Sequence, residues 1–371
     1  MEKRSEKQYK KLPFEIEAII KTECWTYFKW GIIQSSKLGE SWIASNFRIY
    51  IDNEYKVYFG DASVKLYMHD FRDILDFEEV DYWSVSSEEI VDIIKHNILD
   101  NKYMIVYLIY NNSLHDFLFY GFDDEKQQFI IPNVVNGRFE EFNISYEEVQ
   151  NTYEEFRQVN IKDPDLWLII NANFYPITRI TLKENYNTED CYYAVIERFM
   201  EEVDGKKYSI QKYNENKKIF CSDSLFTGIA CLLAMEERVY QYIRDKKYIT
   251  GTVFEKLSKE LNLNFNKLSE HRYAVFLSMK WFSKRYDKIN KDIYFCIKEY
   301  EKCCVNMRRI SNLAMVFEQN EEWDCIYRIQ NLLKSQYEKE KMILSLFLEL
   351  IVKENIKVKI YGKEIKNKYL L

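Results

Sequence analysis

The chain has 371 residues, 47% of them hydrophobic and 16% aromatic, with only nine glycines and four prolines. That apolar content over that length predicts two packed domains and excludes long flexible linkers and low-complexity segments. Charge is split: 21 Lys and Arg stand against 35 Asp and Glu over residues 1–200, then 32 against 24 over 201–371, so either the second half faces something acidic or the two halves attract each other.

In chain order, Lys21–Ile33 reads as the start of a helix or buried segment. Phe47–Ile51 and Tyr55–Phe59 flank Asp52–Asn53–Glu54 as a hairpin. Ser86–Ser87–Glu88–Glu89 opens a helix with acidic residues in its first turn. Tyr103–Tyr110 is a continuous apolar run of strand length, expected where both faces are covered. Ser145–Tyr146–Glu147–Glu148 is a capping box that starts another helix. Beyond about Tyr192 the pattern turns helical, with periods over 193–202, 224–244, 254–261, 270–285, 292–317 and 322–353. The predicted fold is therefore α+β, with an antiparallel-sheet domain over 1–185 and an all-helical domain over 186–371.

No apolar run reaches the ~20 residues that a membrane-spanning helix needs. The charged start Met1–Lys7 has no apolar segment behind it, so the expectation is a cytoplasmic protein with no membrane partner. The eight cysteines (24, 191, 221, 231, 296, 303, 304 and 325) show no CxxC spacing and read as buried thiols in a reducing compartment.

The stretch Leu114–Asn133 carries the chemistry. Two strand-like segments flank the polar turn Asp123–Lys126. With that turn centred near Asp124, His115 falls opposite Asn133, and directly opposed residues lie about 5 Å apart. An imidazole acting as base needs its second nitrogen held by another group, which an Asn oxygen can supply. Cys24 is the cysteine of the strand-rich half that a helix N-terminus would activate through its dipole and free N–H groups. Cysteine, then histidine, then Asn on an adjacent strand is the papain-type order.

The run His115-Asp116-Phe117-Leu118-Phe119-Tyr120-Gly121, followed by Phe122-Asp123-Asp124-Glu125-Lys126 and Asn136-Gly137-Arg138-Phe139, resembles the papain-like domain of carrier-protein-dependent acyltransferases and amide synthetases of antibiotic biosynthesis. The butirosin-pathway and closthioamide-pathway enzymes are of that type. Trp42–Tyr50 looks like a motif of related peptide-antibiotic proteins. The resemblance spans about residues 20–155 and, more loosely, the helical region. It implies a papain-like fold, with Cys24 as nucleophile, His115 as base and Asn133 as the group orienting it. It further implies acyl transfer from the phosphopantetheine thioester of an acyl or peptidyl carrier protein, through acyl-Cys24, to a small-molecule amine. The protein then needs no cofactor of its own, and the helical domain serves as lid and carrier dock. Ala18 stands where many papain-like enzymes carry an oxyanion glutamine, leaving the Cys24 N–H and Thr22 or Gln34 as donors; one lost donor costs ~2.7–4 kcal/mol.

Other features have plainer readings. Cys296, Cys303 and Cys304 lie on one helix face and read as core. His69–Asp70 reads as sheet packing and His96 as a helix C-terminal residue. His271, Arg272, Lys280, Lys284 and Arg285 read as a solvated basic face, or more sharply as a dock for an acidic carrier. No Gly-rich phosphate loop, HExxH or GxSxG occurs, and no nucleic-acid signature accompanies the basic half. Two alternatives stand beside the acyltransferase: a catalytically inactive carrier-binding or scaffold protein of the same fold, and a cysteine peptidase or thioester hydrolase.

Overall fold

The computed structural model describes residues 8–22, 24–59, 71, 73–81, 84–135, 138–162, 176–183, 191–205, 207–214, 219–284 and 291–353. His69, Asp70, Asn136 and Gly137 lie outside them. The chain is a mixed α+β protein with antiparallel sheets and a helical C-terminal region. Its contacts divide into two units. The first holds Met1–Gly39 and Met68–Tyr186; the second holds Glu40–Tyr67 and Asn187–Leu371.

In the first unit, the strands are β1 (Tyr9–Lys11), β4 (Leu75–Glu79), β5 (Tyr103–Tyr110), β6 (Ser113–Phe119), β7 (Gly121–Asp123), β8 (Gln128–Val135), β9 (Arg138–Ser145) and β10 (Ile177–Leu182). They form two four-stranded antiparallel sheets, ordered β1-β7-β8-β9 and β4-β10-β5-β6. Strand β6 runs into β7 through Tyr120 alone, whose N–H donates to the Ile130 carbonyl, so one extended run belongs to both sheets.

Helix α1 (Cys24–Gln34) is apolar apart from Thr26, Lys29 and Gln34, and Thr26 through Ile33 are all buried, as so apolar a helix must be. Helices α3 (Ile90–Leu99) and α4 (Tyr146–Lys162) bury Ile90, Ile94, Ile98, Val149, Tyr153 and Phe156. Both starts that the sequence signals have their bonds. The Ser86 N–H and hydroxyl donate to Glu89 Oε2 at 3.0 and 2.9 Å, and the Glu148 N–H donates to Ser145 Oγ at 3.1 Å.

The second unit is not all helical. Strands β2 (Ile49–Ile51), β3 (Val57–Phe59), β11 (Lys207–Asn214) and β12 (Ile219–Thr227) make a third antiparallel sheet, ordered β11-β12-β2-β3. The expected helix over 224–244 therefore starts only at Ala230. Before it, Tyr208-Ser209-Ile210-Gln211 alternates with period two, a strand signal that the helical reading of the region overrode. The helices are α2 (Gly39–Ser45, at the junction of the units), α5 (Cys191–Asp204), α6 (Ala230–Asp245), α7 (Gly251–Lys284), α8 (Lys291–Asn320) and α9 (Trp323–Lys353).

Residues 254–261 and 270–285, expected as two helices, belong to the single helix α7, except that Arg285 is not among the described residues. The asparagines at 262, 264 and 266 interrupt the apolar period without breaking the helix, because Asn264 serves backbone elsewhere. Its Oδ1 accepts from the Val57 N–H at 3.1 Å and its Nδ2 donates to the Tyr55 carbonyl at 2.7 Å. Lys267 Nζ donates to the Val57 carbonyl (2.8 Å), His271 Nε2 to that of Phe47 (2.9 Å) and Ser278 Oγ to that of Ala44 (2.6 Å). These side chains form one stripe of α7 and satisfy backbone groups of residues 44–57, which explains why that segment joins the helical unit. Among the described residues, no helix is long and apolar enough to cross a membrane.

Candidate active site

Cys24 is the first residue of α1 and is exposed. The first amides of a helix have no acceptor within it, so a thiol there sits beside donors that point out of the helix and at the positive end of the helix dipole.

The direction of α1 follows from its far end. Ser35 Oγ donates to the Pro13 carbonyl at 3.1 Å, and the same carbonyl receives the Tyr103 hydroxyl at 2.6 Å. The C-terminal end of α1 therefore lies by the start of β5. Eleven residues at 1.5 Å each carry the helix roughly 16 Å, and it lies along β6, where the Lys29 charge acts on Asp116.

Alternation along the strands decides which side chains meet α1. Tyr103, Ile105 and Tyr107 share a face with Leu118 and Asp116, their direct partners being Ile105↔Leu118 and Tyr107↔Asp116. Tyr103 reaches Pro13, so this is the α1 face. On the neighbouring sheet, Phe139 stacks on Tyr27 with ring centroids 3.7 Å apart. Phe139 is paired with Val134, and Glu141 with Pro132, so these too lie on the α1 face. Tyr120 Oη donates to Glu141 Oε2 at 2.7 Å, and Lys11 Nζ stands 2.5 Å from the same oxygen. Partial burial opposes ionisation of Glu141, but the bonds from Lys11 and Tyr120 hold its carboxyl below the usual range.

His115 and Asn133 lie on the other face. His115 is paired with Leu108 and its ring meets Phe117 at 6.4 Å. The next residue on that face, Phe119, makes an edge contact with Phe129, which in turn meets Tyr146 of α4. Asn133 is paired with Glu140 and has the parity of Phe129; its Oδ1 accepts the N–H of Val134.

The expected opposition of His115 and Asn133 is thus not what the register gives. The β7–β8 pairs Gly121↔Ile130 and Asp123↔Gln128 centre the turn between Glu125 and Lys126 rather than on Asp124, and β6 pairs with β5 instead. Both residues share a face, but it is the face away from α1. What β6 presents to α1 near its outer end is Asp116, which burial pushes above the usual carboxylate range against its own backbone bond and the charges of Lys29 and His115. Lys29 is itself wholly buried on α1, with Nζ 4.9 Å from the centre of the Phe71 ring.

The helical unit holds a second concentration of chemical groups, which sequence reasoning placed in solvent. His271 and Arg272 are buried (1% and 0% exposed). Arg272 Nε donates to Glu340 Oε2 at 3.1 Å, Nη1 to His271 Nδ1 at 2.9 Å and Nη2 to the Gly228 carbonyl at 3.4 Å. Gln336 donates to Glu340 Oε1 and to the Cys303 carbonyl, and accepts from Asn306. Of the polar positions 264, 267, 271 and 278 on this helix, the sequence reading picks out His271 alone, and as solvated.

Cys296 and Cys303 are buried, and desolvation pushes their thiols up to about 11 and about 12. His96 in α3 bonds through Nδ1 to the Asp92 carbonyl at 2.7 Å. Among the described residues, no group of three or more His, Cys, Asp or Glu side chains could hold a metal ion. No family model matches the chain, and no curated protein matches it.

Proposed function

We propose that the sheet-rich unit is a papain-like thiol acyltransferase in which Cys24 carries the acyl group. The observation that carries this reading is the exposed Cys24 thiol at the first turn of a helix buried from Thr26 through Ile33. Such a turn lends N–H groups both to the thiolate and to the oxyanion formed on attack.

In the first step the Cys24 sulfur bonds to the acyl carbon of a carrier-bound phosphopantetheine thioester. The carbon–sulfur bond to pantetheine breaks, and the Cys24 proton passes to the departing thiol. In the second step an amine nitrogen bonds to the acyl carbon, the bond to Cys24 breaks, and a proton from the amine returns to the thiol. Protons balance over the cycle without a dissolved cofactor. His115 as base and Asn133 as its orienting group belong to the same reading by resemblance. Because both face away from α1, attack rests here on the ionisation of Cys24 itself.

That same placement favours a second reading, a carrier-binding protein of this fold without turnover. Intact-protein mass spectrometry after incubation with a simple acyl thioester separates the two. Wild type gaining one acyl mass, with Cys24→Ala gaining none, is the expected result. No adduct on wild type, with Cys24 inert to iodoacetamide at neutral pH, leaves the binding role.

A further inference from the structure

Around Arg272, the described residues of the helical core place one cation and two carboxyl groups together; Lys267, the other buried cation of α7, donates to the Val57 carbonyl. Arg272 and Glu340 answer each other: the guanidinium donates to both Glu340 oxygens, at 3.1 and 3.4 Å, and Gln336 adds a further donor. His271 cannot supply a second cation. Its Nε2 faces the Phe47 carbonyl, which only accepts, and its Nδ1 faces Arg272, which only donates. The ring is therefore neutral with its proton on Nε2.

Glu202, at the end of α5, is left over. It is 4% exposed. Its Oε2 lies 3.4 Å from a His271 nitrogen whose proton already goes to Phe47, and its Oε1 has no hydrogen-bond partner among the described residues.

We infer that the helical unit carries Glu202 as a neutral carboxylic acid in a charge-balanced core, and that its ionisation is a pH-driven switch that loosens α5 from α7. As a carboxylate, Glu202 would be a buried charge without a cation of its own, the arrangement that proteins avoid by holding the proton.

The groups around it agree. From α8, the Tyr300 hydroxyl is buried without a partner among the described residues, and the Cys304 thiol bonds to the Arg272 carbonyl. From α6 comes Cys231, a thiol that burial keeps protonated. From α9 comes Glu340, and on α5 itself Glu201, which pairs with Arg48 and Arg198. None of these adds a free positive charge beside Glu202. Desolvation, opposed by Arg272 and reinforced by Glu340 and Glu201, lifts the Glu202 carboxyl to about 8.

The sign of the pH effect follows. Between the ordinary glutamate value of 4.5 and about 8 the folded state holds a proton that the unfolded chain has released. Stability therefore falls as pH rises through that window, by up to about tenfold in the folding constant per pH unit. His271 works in the opposite direction. Desolvation and the Arg272 charge hold it well below 6.5, so the unfolded chain gains a proton below 6.5 that the native ring lacks. The two slopes cancel on the acid side, and of this pair only Glu202 contributes between pH 6.5 and about 8.

The test is equilibrium urea denaturation of the full chain at half-unit steps from pH 6 to 8.5, wild type against Glu202→Gln. The expected result is a wild-type midpoint that falls with pH relative to a variant gaining on it throughout the window. Parallel profiles overturn the proposal. Infrared spectroscopy of wild type gives an independent reading should the variant not fold. A protonated-carboxyl C=O band present at pH 6.5 and lost with a midpoint near 8 is expected, and absence of any such titrating band overturns the inference.

Discussion

The two units differ in their ion pairs, although each encloses a cation, Lys29 in the sheet-rich unit and Arg272 in the helical one. In the sheet-rich unit the ion pairs sit at the rim, as with Lys95 and Asp124 at 2.6 Å or Lys11 and Glu141 at 2.5 Å, where at least one partner keeps contact with solvent. In the helical unit Arg272, His271, Glu202 and Glu340 are enclosed on every side. Strand alternation disposes of polar side chains locally, by turning each to one face or the other. A bundle of long helices can close over a polar residue from several directions, and whether it does so depends on residues far away in the chain: 68 positions separate Arg272 from Glu340. The sheet unit should therefore tolerate loss of a charge that the helical unit cannot.

The largest effect tests that difference directly. Arg272→Met leaves Glu340 buried and uncompensated and should cost about 3–5 kcal/mol, whereas Arg272→Met with Glu340→Leu should recover most of the loss. Lys95→Met in the sheet unit should cost about 1 kcal/mol or less. Urea midpoints of the three proteins measure this, and equal losses for both single variants would erase the contrast.

Gly228→Ala should come next. Gly228 has φ +55°, and an added Cβ would lie 2.4 Å from the Glu202 carbonyl oxygen, where α5 ends against the start of α6. Left-handed strain alone is worth roughly 1–3 kcal/mol, and the clash with backbone adds to it. Because the Gly228 carbonyl also receives Arg272, the loss should couple to that of Arg272→Met in a double-mutant cycle.

These residues show what the sequence could and could not disclose. Both capping boxes, the 103–110 strand and the hairpin around Asp52–Glu54 rest on neighbours within a few positions, and they stand where their patterns put them. The α7 stripe was not read, because its partners are backbone groups of residues 44–57, some two hundred positions earlier. For the candidate site, a Cys24 helix start was readable from local composition. The face on which His115 falls was not, because it depends on β6 pairing with β5 rather than continuing onto β8, and one residue of register reverses a strand's faces.

A smaller effect sharpens the sheet-unit half of the comparison. Ser86→Ala removes the hydroxyl that serves Glu89 and should cost about 1 kcal/mol. Thermal denaturation should register it in the first unit alone. A loss approaching that of Arg272→Met would mean that the rim of the sheet unit is as tightly determined as the core of the other.

The smallest expected effect concerns His115. It is exposed near the outer end of β6, and its only ring contact among the described residues is with Phe117. His115→Ala should therefore change stability by no more than about 0.5 kcal/mol. The more telling readout is the rate at which iodoacetamide alkylates Cys24 between pH 6 and 9. A histidine paired with the thiol would hold it as thiolate at neutral pH, and removing the ring would slow alkylation there by on the order of tenfold. With His115 on the face away from α1, the rate and its pH profile should not move, while Asp116→Asn, which removes a carboxyl from the α1 face, should raise the rate if that charge reaches the thiol. A fall on losing His115 would show that β6 turns its outer end over toward Cys24, restoring the papain-type pairing and making the sheet unit, like the helical one, a place where distant charges are brought together.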